Sequence, residues 1–399
     1  MEFGIFLNGF LPGPAAHDSA SEHQMLMEEM QLVVTADRHN WKYAWFGEHH
    51  SLTEYSHMSC PEVMIGYLAH ATERIHLCTG INNISPRVNH PVRNAERVAF
   101  HDHMTNGRFE WGTGRGAGSH EIASFNILDK DSTKAEWEEV IREIPRMWEQ
   151  KDYTFAGDHF TVPTPHNVLP KPYGPGHPAI WVACGNPGTF ATAGSLGIGA
   201  IAFNFEPVFA LEGRIAAYKE AVAGCTEPLG QFKNDNVMMT NAVICLADRK
   251  RAREVALRTG RGYLYTLVCL YHDTMPKPAH ARTWPEPPRD LSDEAMLDSL
   301  IEKGWLLCGT PDEVCEQVEK YQTVGCDQLV FGLPSDCMQV EEVHEMLELF
   351  GSKVIPEYDK DPVHSTTRYR ETAQRKYPDF AHPVPDVHVE VLPETAKIR

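Results

Sequence analysis

Short apolar runs alternate along this chain with longer stretches in which apolar residues recur every three or four positions. Runs of the first kind are typical of strands buried in a parallel sheet, and stretches of the second kind are typical of amphipathic helices. The pattern predicts strands at residues 3–7, 43–46, 75–81, 108–112, 180–184, 200–203, 237–246 and 327–332. Eight strands that alternate with helices favour an α/β fold of the closed (β/α)8 type, a TIM barrel, over an open sheet.

Helices are predicted at about 21–39, 60–71, 91–105, 132–148, 188–195, 208–223, 249–265, 312–324 and 339–350. The helix at 91–105 has the clearest boundaries, because Pro91 suits a first turn and the pair Asn106-Gly107 ends the pattern. Its apolar residues fall on one face, as expected for a helix that covers the outer side of a barrel.

Three segments interrupt this alternation. Residues 152–178 are rich in proline and glycine and predict a hairpin followed by a loop, while residues 267–293 hold five prolines and predict a lid or a binding segment. We therefore assign residues 1–358 to the barrel, with insertions at about 152–178 and 267–293. Residues 359–399 are expected to form a C-terminal extension, an arm over the surface or over a partner subunit.

Charge and composition narrow the classes of partner. Lys+Arg 36 against Asp+Glu 55 gives a net charge of −19, which would repel a nucleic-acid backbone. No apolar run approaches the roughly 20 residues that span a bilayer, and the N-terminal stretch MEFGIFLNGF lacks the basic region of a secretory signal. The 10 cysteines form no CxxC motif, which is typical of reduced thiols and not of structural zinc. These observations predict a cytoplasmic protein without nucleic-acid or membrane partners.

The stretch AWFGEHHS places an acid and two histidines directly after the second strand. Active sites of parallel barrels lie where strands end, so Glu48, His49 and His50 are expected at the catalytic rim. An imidazole titrates near neutral pH, and Glu48 could orient it for acid/base chemistry. The stretch could equally be an ordinary polar loop. A metal site is the least favoured interpretation, because the only other compact histidine cluster, HDH at 101–103, points its imidazoles to different helix faces.

Two glycine-rich segments also follow strands. FEWGTGRGAGSHE, residues 109–121, carries Arg115 among glycines that let backbone N–H groups approach an anion. ACGNPGT, residues 183–189, leads into a helix N-terminus, which is a further anion site. Neither segment is a GxGxxG or P-loop motif. Together they fit a phosphorylated cofactor across the rim, although each could be a turn or a capped helix start on its own.

The end of the third strand, TGINNIS at residues 79–85, is polar as well. Asn82 and Asn83 could form hydrogen bonds with a planar heterocycle. They could also do no more than form a turn.

Taken together, these segments resemble the bacterial luciferase-like flavin monooxygenase family. The resemblance covers about residues 1–358 and rests on MEFGIFLNGF, WFGEHHSLTE, TGINNIS, HPVRNAERVAFHDHMTNGRFEWGTGRG, WLLCGTPDEV and GCDQLVFG. The run CPEVMIG is similar to the branch that includes the diketocamphane monooxygenases. The resemblance implies a TIM barrel that assembles as a homodimer or as a related heterodimer.

The resemblance also implies a chemistry. Members of the family bind reduced FMN supplied by a separate flavin reductase, and O2 adds to the flavin C4a to give a peroxide that oxygenates an organic substrate. For this chain we expect a small apolar substrate such as a ketone or an aldehyde. The segment at 267–293 is expected to act as the lid that keeps water from the peroxide.

The family's functional residues can be placed on this sequence one by one. His49 matches the catalytic histidine beside the flavin, with Glu48 in support, while His50 receives no role. Arg115 matches the arginine that grips the flavin phosphate. The other expected cofactor-binding positions are Gly116 and Ala117 in the first phosphate cradle, Gly185 and Thr189 in the second, and Gly80, Ile81 and Asn82, where the luciferases place a cis peptide under the flavin ring.

Two positions depart from the luciferases. The reactive cysteine before the phosphate arginine is Gly114 here, and an acidic residue of the second cradle is Cys184. Light emission from a long-chain aldehyde is therefore less expected than another oxygenation.

Three alternatives stay open. A deazaflavin-dependent oxidoreductase would use the same barrel and histidine but transfer hydride without consuming O2. A flavin-binding protein without activity would retain the barrel alone, and a metal-dependent hydrolase is the least favoured. The sequence does not select a substrate, a reductase or an oligomeric state.

Overall fold

The computed structural model describes residues 1–11, 13–52, 55–116, 118–203, 206–258, 293–333 and 337–377. Within these residues eight parallel strands close into a barrel in the order β1-β2-β3-β4-β7-β8-β9-β11, with β11 paired back to β1. The strands are β1 Glu2–Leu7, β2 Tyr43–Phe46, β3 His76–Asn83, β4 Phe109–Gly114, β7 Ala179–Ala183, β8 Gly199–Phe203, β9 Val237–Cys245 and β11 Gln328–Gly332. The predicted TIM barrel and all eight predicted strands are confirmed.

The barrel interior is filled with large side chains. Trp45 and Trp181 meet edge to face with ring centroids 5.2 Å apart, and both are fully buried. Phe6 and Phe203 lie toward the carboxyl ends of their strands with centroids 5.8 Å apart. These side chains make the barrel a packed core and not a pore.

Helices surround the barrel and shield the outer face of its strands. They are α1 Ser19–Arg38, α2 Pro61–Ala71, α3 Pro91–Met104, α4 Ser119–Ala123, α5 Thr133–Glu149, α6 Pro187–Ser195, α7 Glu212–Gly224, α8 Arg249–Ala256, α9 Asp293–Lys303, α10 Pro311–Thr323, α11 Val340–Lys353, α12 Ile355–Tyr358 and α13 Ser365–Glu371. Short 3-10 turns lie at Gly13–His17, Lys130–Ser132 and Val208–Leu211. No helix in the described part of the chain is long and apolar enough to cross a membrane.

Some elements were not predicted from the sequence, among them a strand and the helix before it. Strand β10, Leu306–Gly309, pairs with the outer half of β9, and α9 precedes it. The predicted helix at 249–265 is observed as Arg249–Ala256, and its remainder beyond residue 258 lies outside the described residues. The predicted lid at 267–293 lies outside them as well, except for its last residue.

The segment at 152–178 contains an antiparallel hairpin of β5 Tyr153–Ala156 and β6 Thr161–His166. Residues 359–377 lie across the amino-terminal ends of the strands, opposite the expected catalytic rim. There Ser365 donates to Glu2, Thr366 donates to Glu110 and Arg370 pairs with Asp102.

Candidate active site

Four polar segments meet at one rim of the barrel. The strands β2, β3, β4 and β7 are neighbours in the sheet, and their carboxyl ends carry GEHH, GINN, GRG and CGNPG in that order. Parallel strands present their carboxyl ends on one side, so the sequence-predicted residues come together there.

The two adjacent histidines contact different carboxylates. His49 Nδ1 lies 3.2 Å from Glu121 Oε1, and the same oxygen accepts the backbone N–H of His50 at 2.9 Å. His50 Nε2 lies 3.2 Å from Glu48 Oε1. Glu48 was expected to orient His49, but the acid that contacts His49 is Glu121, which the sequence analysis left without a role.

Glu48 is 5% exposed and connects the segment after β2 to the end of β3 and to the loop that follows β3. Its Oε2 accepts from Asn82 Nδ2 at 2.6 Å and from the backbone N–H of Asn83 at 3.3 Å, while Oε1 accepts from Asn89 Nδ2 at 3.1 Å. The side-chain oxygen of Asn82 accepts from Trp111 Nε1 at 3.3 Å. The side-chain amide of Asn82 was predicted to face a heterocycle, but its nitrogen and its oxygen both form hydrogen bonds within the protein.

The pKa of His50 reflects its carboxylate neighbours. Burial alone would lower this pKa, but the hydrogen bond and charge of Glu48, together with the charge of Glu121, outweigh burial and raise it above its ordinary value. His50 therefore carries a positive charge over a wider pH range than a free histidine.

The peptide bond between Gly80 and Ile81 is cis, as expected from the family resemblance. The register of β3 against β4 shifts between Thr79 and Asn82, around this bond. A Cβ on Gly80 would lie 2.8 Å from Phe6 Cε2, and one on Gly114 would lie 2.7 Å from Ile81 Cδ1. The cysteine that luciferases carry at position 114 would therefore overlap with Ile81.

Arg115 has the features of an anion-binding residue. Its guanidinium donates to the carbonyl of Lys130 at 3.0 Å and to Thr133 Oγ1 at 3.2 Å. Among the residues that the structure describes, no carboxylate forms an ion pair with Arg115. Desolvation lowers the pKa of Arg115 and the charge of Asp131 opposes this shift. A half-buried cation without an acidic partner is suited to bind a phosphate.

The glycine beside this arginine adopts a conformation that other residues rarely reach. Gly116 has a φ of +87°, and a Cβ there would lie 2.6 Å from Ile122 Cγ2. Ala117, predicted to belong to the same cradle, lies outside the described residues.

The second predicted cradle is the N-terminus of α6. Asn186 and Thr189 form a reciprocal capping box, in which the Asn186 side chain accepts the Thr189 N–H at 3.2 Å. The Thr189 hydroxyl is used in that box and donates to the Asn186 carbonyl at 2.7 Å. Gly185 is exposed, and a Cβ there would meet no atom within 4 Å, so the helix N-terminus is open to an anion.

No group of three or more metal-ligating side chains occurs among the described residues. In the HDH stretch, His101 is buried beside Phe109, Asp102 pairs with Arg370, and His103 Nε2 contacts the carbonyl of Lys171. The three side chains thus point in different directions, as their spacing predicted.

The rim of this parallel barrel carries an arginine that pairs with no carboxylate of the described residues, an open helix N-terminus and a histidine–carboxylate pair, and sites of this kind in barrel enzymes are suited to phosphorylated ligands. Residues 1–328 match the family model of the luciferase-like monooxygenases, and the chain belongs to that family. The family membership confirms the prediction of an enzyme of the flavin-dependent monooxygenase type.

Individual relatives are distant. A 4-hydroxyprotoasukamycin monooxygenase from Streptomyces nodosus is 24% identical over 90% of this chain and 92% of its own length. The oxygenase component of a trigonelline monooxygenase from Acinetobacter baylyi is 29% identical, but the match spans 47% of this chain and half of that relative. An F420-dependent glucose-6-phosphate dehydrogenase from Amycolatopsis mediterranei is 24% identical over 72% of this chain and 81% of its own length.

The fold is also seen in a solved structure. The oxygenating constituent of 3,6-diketocamphane monooxygenase from Pseudomonas putida, a type II Baeyer-Villiger monooxygenase in complex with FMN, superposes with a TM-score of 0.73. That comparison covers 90% of this chain and 98% of the other at 20% identity.

Proposed function

We propose that this protein is the FMN-dependent oxygenase of a two-component system, which uses reduced FMN from a separate flavin reductase and O2 to oxygenate a small apolar substrate such as a ketone or an aldehyde. The observation that carries the proposal is Arg115, a half-buried cation without an acidic partner in the described chain, on the same rim as His49. FMN has a phosphate that such a site can bind and a ring system that the rim can hold.

The residues present fit this cofactor. Arg115 and the open N-terminus of α6 would hold the phosphate, because both offer donors that no carboxylate of the described chain occupies. When bound, reduced FMN supplies the electrons that activate O2. His49 holds or moves a proton beside the ring, and the apolar side chains of Phe6, Ile81 and Phe203 keep water from the barrel side of the site.

A hydride-transferring enzyme that uses F420 is the second candidate, and the match to an F420-dependent dehydrogenase favours it. Anaerobically reduced FMN mixed with protein, O2 and candidate ketones or aldehydes tests the first proposal, with O2 uptake and product mass measured. We expect a product that is heavier than the substrate by one oxygen atom. In a reaction under 18O2, that added atom should be 18O. Reduction of oxidised F420 by a substrate, without O2 uptake, would instead support the second candidate.

We propose that a second copy of the chain covers one face of α2 and α3. Val63 and Tyr67 on α2 are 69% and 60% exposed, and Phe100 and Met104 on α3 are 55% and 48% exposed. The ion pair of Glu62 with Arg97, at 3.6 Å, joins the two helices beside these side chains. Large apolar side chains grouped in this way are typical of an interface.

Sedimentation of the wild-type protein tests this assembly. We expect a dimer that a Tyr67→Glu, Phe100→Glu double variant converts to monomers, whereas Leu128→Glu leaves it intact, because Leu128 is 84% exposed outside these helices. A monomeric wild-type protein would refute the assembly.

We also propose a cytoplasmic location. The nine described cysteines are all free thiols, which suits a reducing compartment. Fractionation of the native host, with the protein detected by antibody, would test this.

A further inference from the structure

The contact between His49 and Glu121 joins two segments that are far apart in the sequence. Glu121 lies on α4, is 1% exposed, and its Oε1 is 3.2 Å from His49 Nδ1. His49 is held from the other side as well, because its ring packs edge to face against Tyr55 with centroids 5.1 Å apart. The imidazole therefore has one defined orientation at the rim.

The hydrogen bonds of Glu121 favour one of the two tautomers of His49. The backbone N–H of His50 can only donate, so Glu121 Oε1 acts as an acceptor toward it at 2.9 Å. An ionised carboxylate oxygen that accepts this bond accepts a second one from Nδ1–H of His49. Nδ1 is then protonated, and Nε2 keeps its lone pair for the rim.

Glu48 cannot serve in this way, although it precedes His49 in the chain. Its two oxygens are occupied by Asn82, Asn89 and the backbone of Asn83, and the histidine that it contacts is His50. Two buried carboxylates thus flank the same loop with different partners, which makes Glu48 a matched control for Glu121.

We propose that Glu121 is the positioning residue of the site: it fixes the Nδ1–H tautomer of His49 and directs Nε2 toward the bound flavin and substrate. The consequence for turnover rests on the proposed function, whereas the tautomer is a property of the protein alone. In the reaction, Nε2 would take up or release a proton while Glu121 stays ionised and balances the imidazolium charge, as carboxylates do beside catalytic histidines.

The tautomer can be read without any cofactor. In protein labelled with 15N-histidine, Nδ1–H and Nε2–H forms give distinct nitrogen shifts, and the His49 signals are those missing from a His49→Gln variant. We expect the Nδ1–H form in the wild-type protein, its loss in Glu121→Met, which has similar length but no acceptor, and its retention in Glu121→Gln, which keeps an acceptor oxygen. Glu48→Gln should retain it. An Nε2–H form in the wild-type protein would overturn the proposal, whether or not any variant folds.

Turnover separates this proposal from the proposed function. We expect Glu121→Met to lower kcat by about 10²-fold or more, the range of general acid–base catalysis, with KM changed far less. Glu121→Gln should restore part of kcat through its acceptor oxygen and shift the pH profile. If Glu121→Met changes the tautomer while neither it nor His49→Ala lowers O2 uptake, the positioning contact stands and the role of His49 in turnover is refuted. An unchanged tautomer in Glu121→Met refutes the positioning contact itself.

Discussion

Removing Arg370 should cost the protein a large part of its stability, because this residue fastens the C-terminal segment to the barrel. Its guanidinium contacts both oxygens of Asp102 at 2.7 Å, and its Nε donates to the carbonyl of Pro175 at 2.7 Å. The side chains of Arg370 and Asp102 are 10% and 0% exposed, so water does not screen the pair. Arg370→Met would leave the buried carboxyl group of Asp102 without its cation, and the N–H of Tyr173 would be its remaining side-chain hydrogen bond among the described residues.

Removal of one partner of a buried ion pair costs about 3–5 kcal/mol of stability. We expect Arg370→Met to lower the free energy of unfolding by an amount of that size. Urea unfolding followed by circular dichroism would measure it. Combining Arg370→Met with Asp102→Asn should recover part of the loss, because no charge then stays buried without a partner.

The same helix provides the control for this measurement. Arg368 pairs with Asp361 at 2.5 Å, but the two side chains are 55% and 47% exposed. Arg368→Met should therefore have little effect, since water screens exposed pairs. If Arg370→Met destabilises the protein no more than Arg368→Met, the C-terminal segment is not held to the barrel as described.

Three further predictions concern the site and the barrel interior. His49→Ala should lower O2-dependent turnover strongly and leave FMN binding largely intact by fluorescence titration; unchanged turnover would remove His49 from the mechanism. Arg115→Met should weaken FMN binding by about 10- to 100-fold, the value of one to two charged hydrogen bonds, while the affinity for riboflavin, which lacks the phosphate, stays the same. Burial raises the pKa of Glu110 to about 8 from an ordinary value of 4.5, so its contribution to stability is present below pH 4.5 and is lost as the pH rises through 8. Glu110→Gln should flatten the pH dependence of the urea midpoint over that range, and an unchanged slope would contradict the raised pKa.

The parts of the fold that follow from local pattern could be predicted from the sequence. Strands such as β1, β2 and β9 are largely apolar runs that are buried on both faces, so their apolar character identifies them. Strand β10 has only the four residues LLCG and pairs with the part of β9 that extends past the barrel, so no repeat of the barrel pattern marks it. The docking of residues 359–377 depends on carboxylates at positions 2, 102 and 110, and such long-range pairs leave no local pattern.

The contacts between acids and histidines at the rim could not be predicted from which residues are adjacent in the sequence. Successive side chains of an extended segment point to opposite sides, whereas residues two apart point to the same side. Glu48 and His50 are two apart and contact each other, while His49 between them faces the other way and meets Glu121, 72 positions further along the chain. The side chains of the motif GEHH therefore take part in two separate sets of contacts. Glu48 and His50 belong to the network that fixes the loop after β3, and His49 belongs to a pair whose acid the motif does not contain.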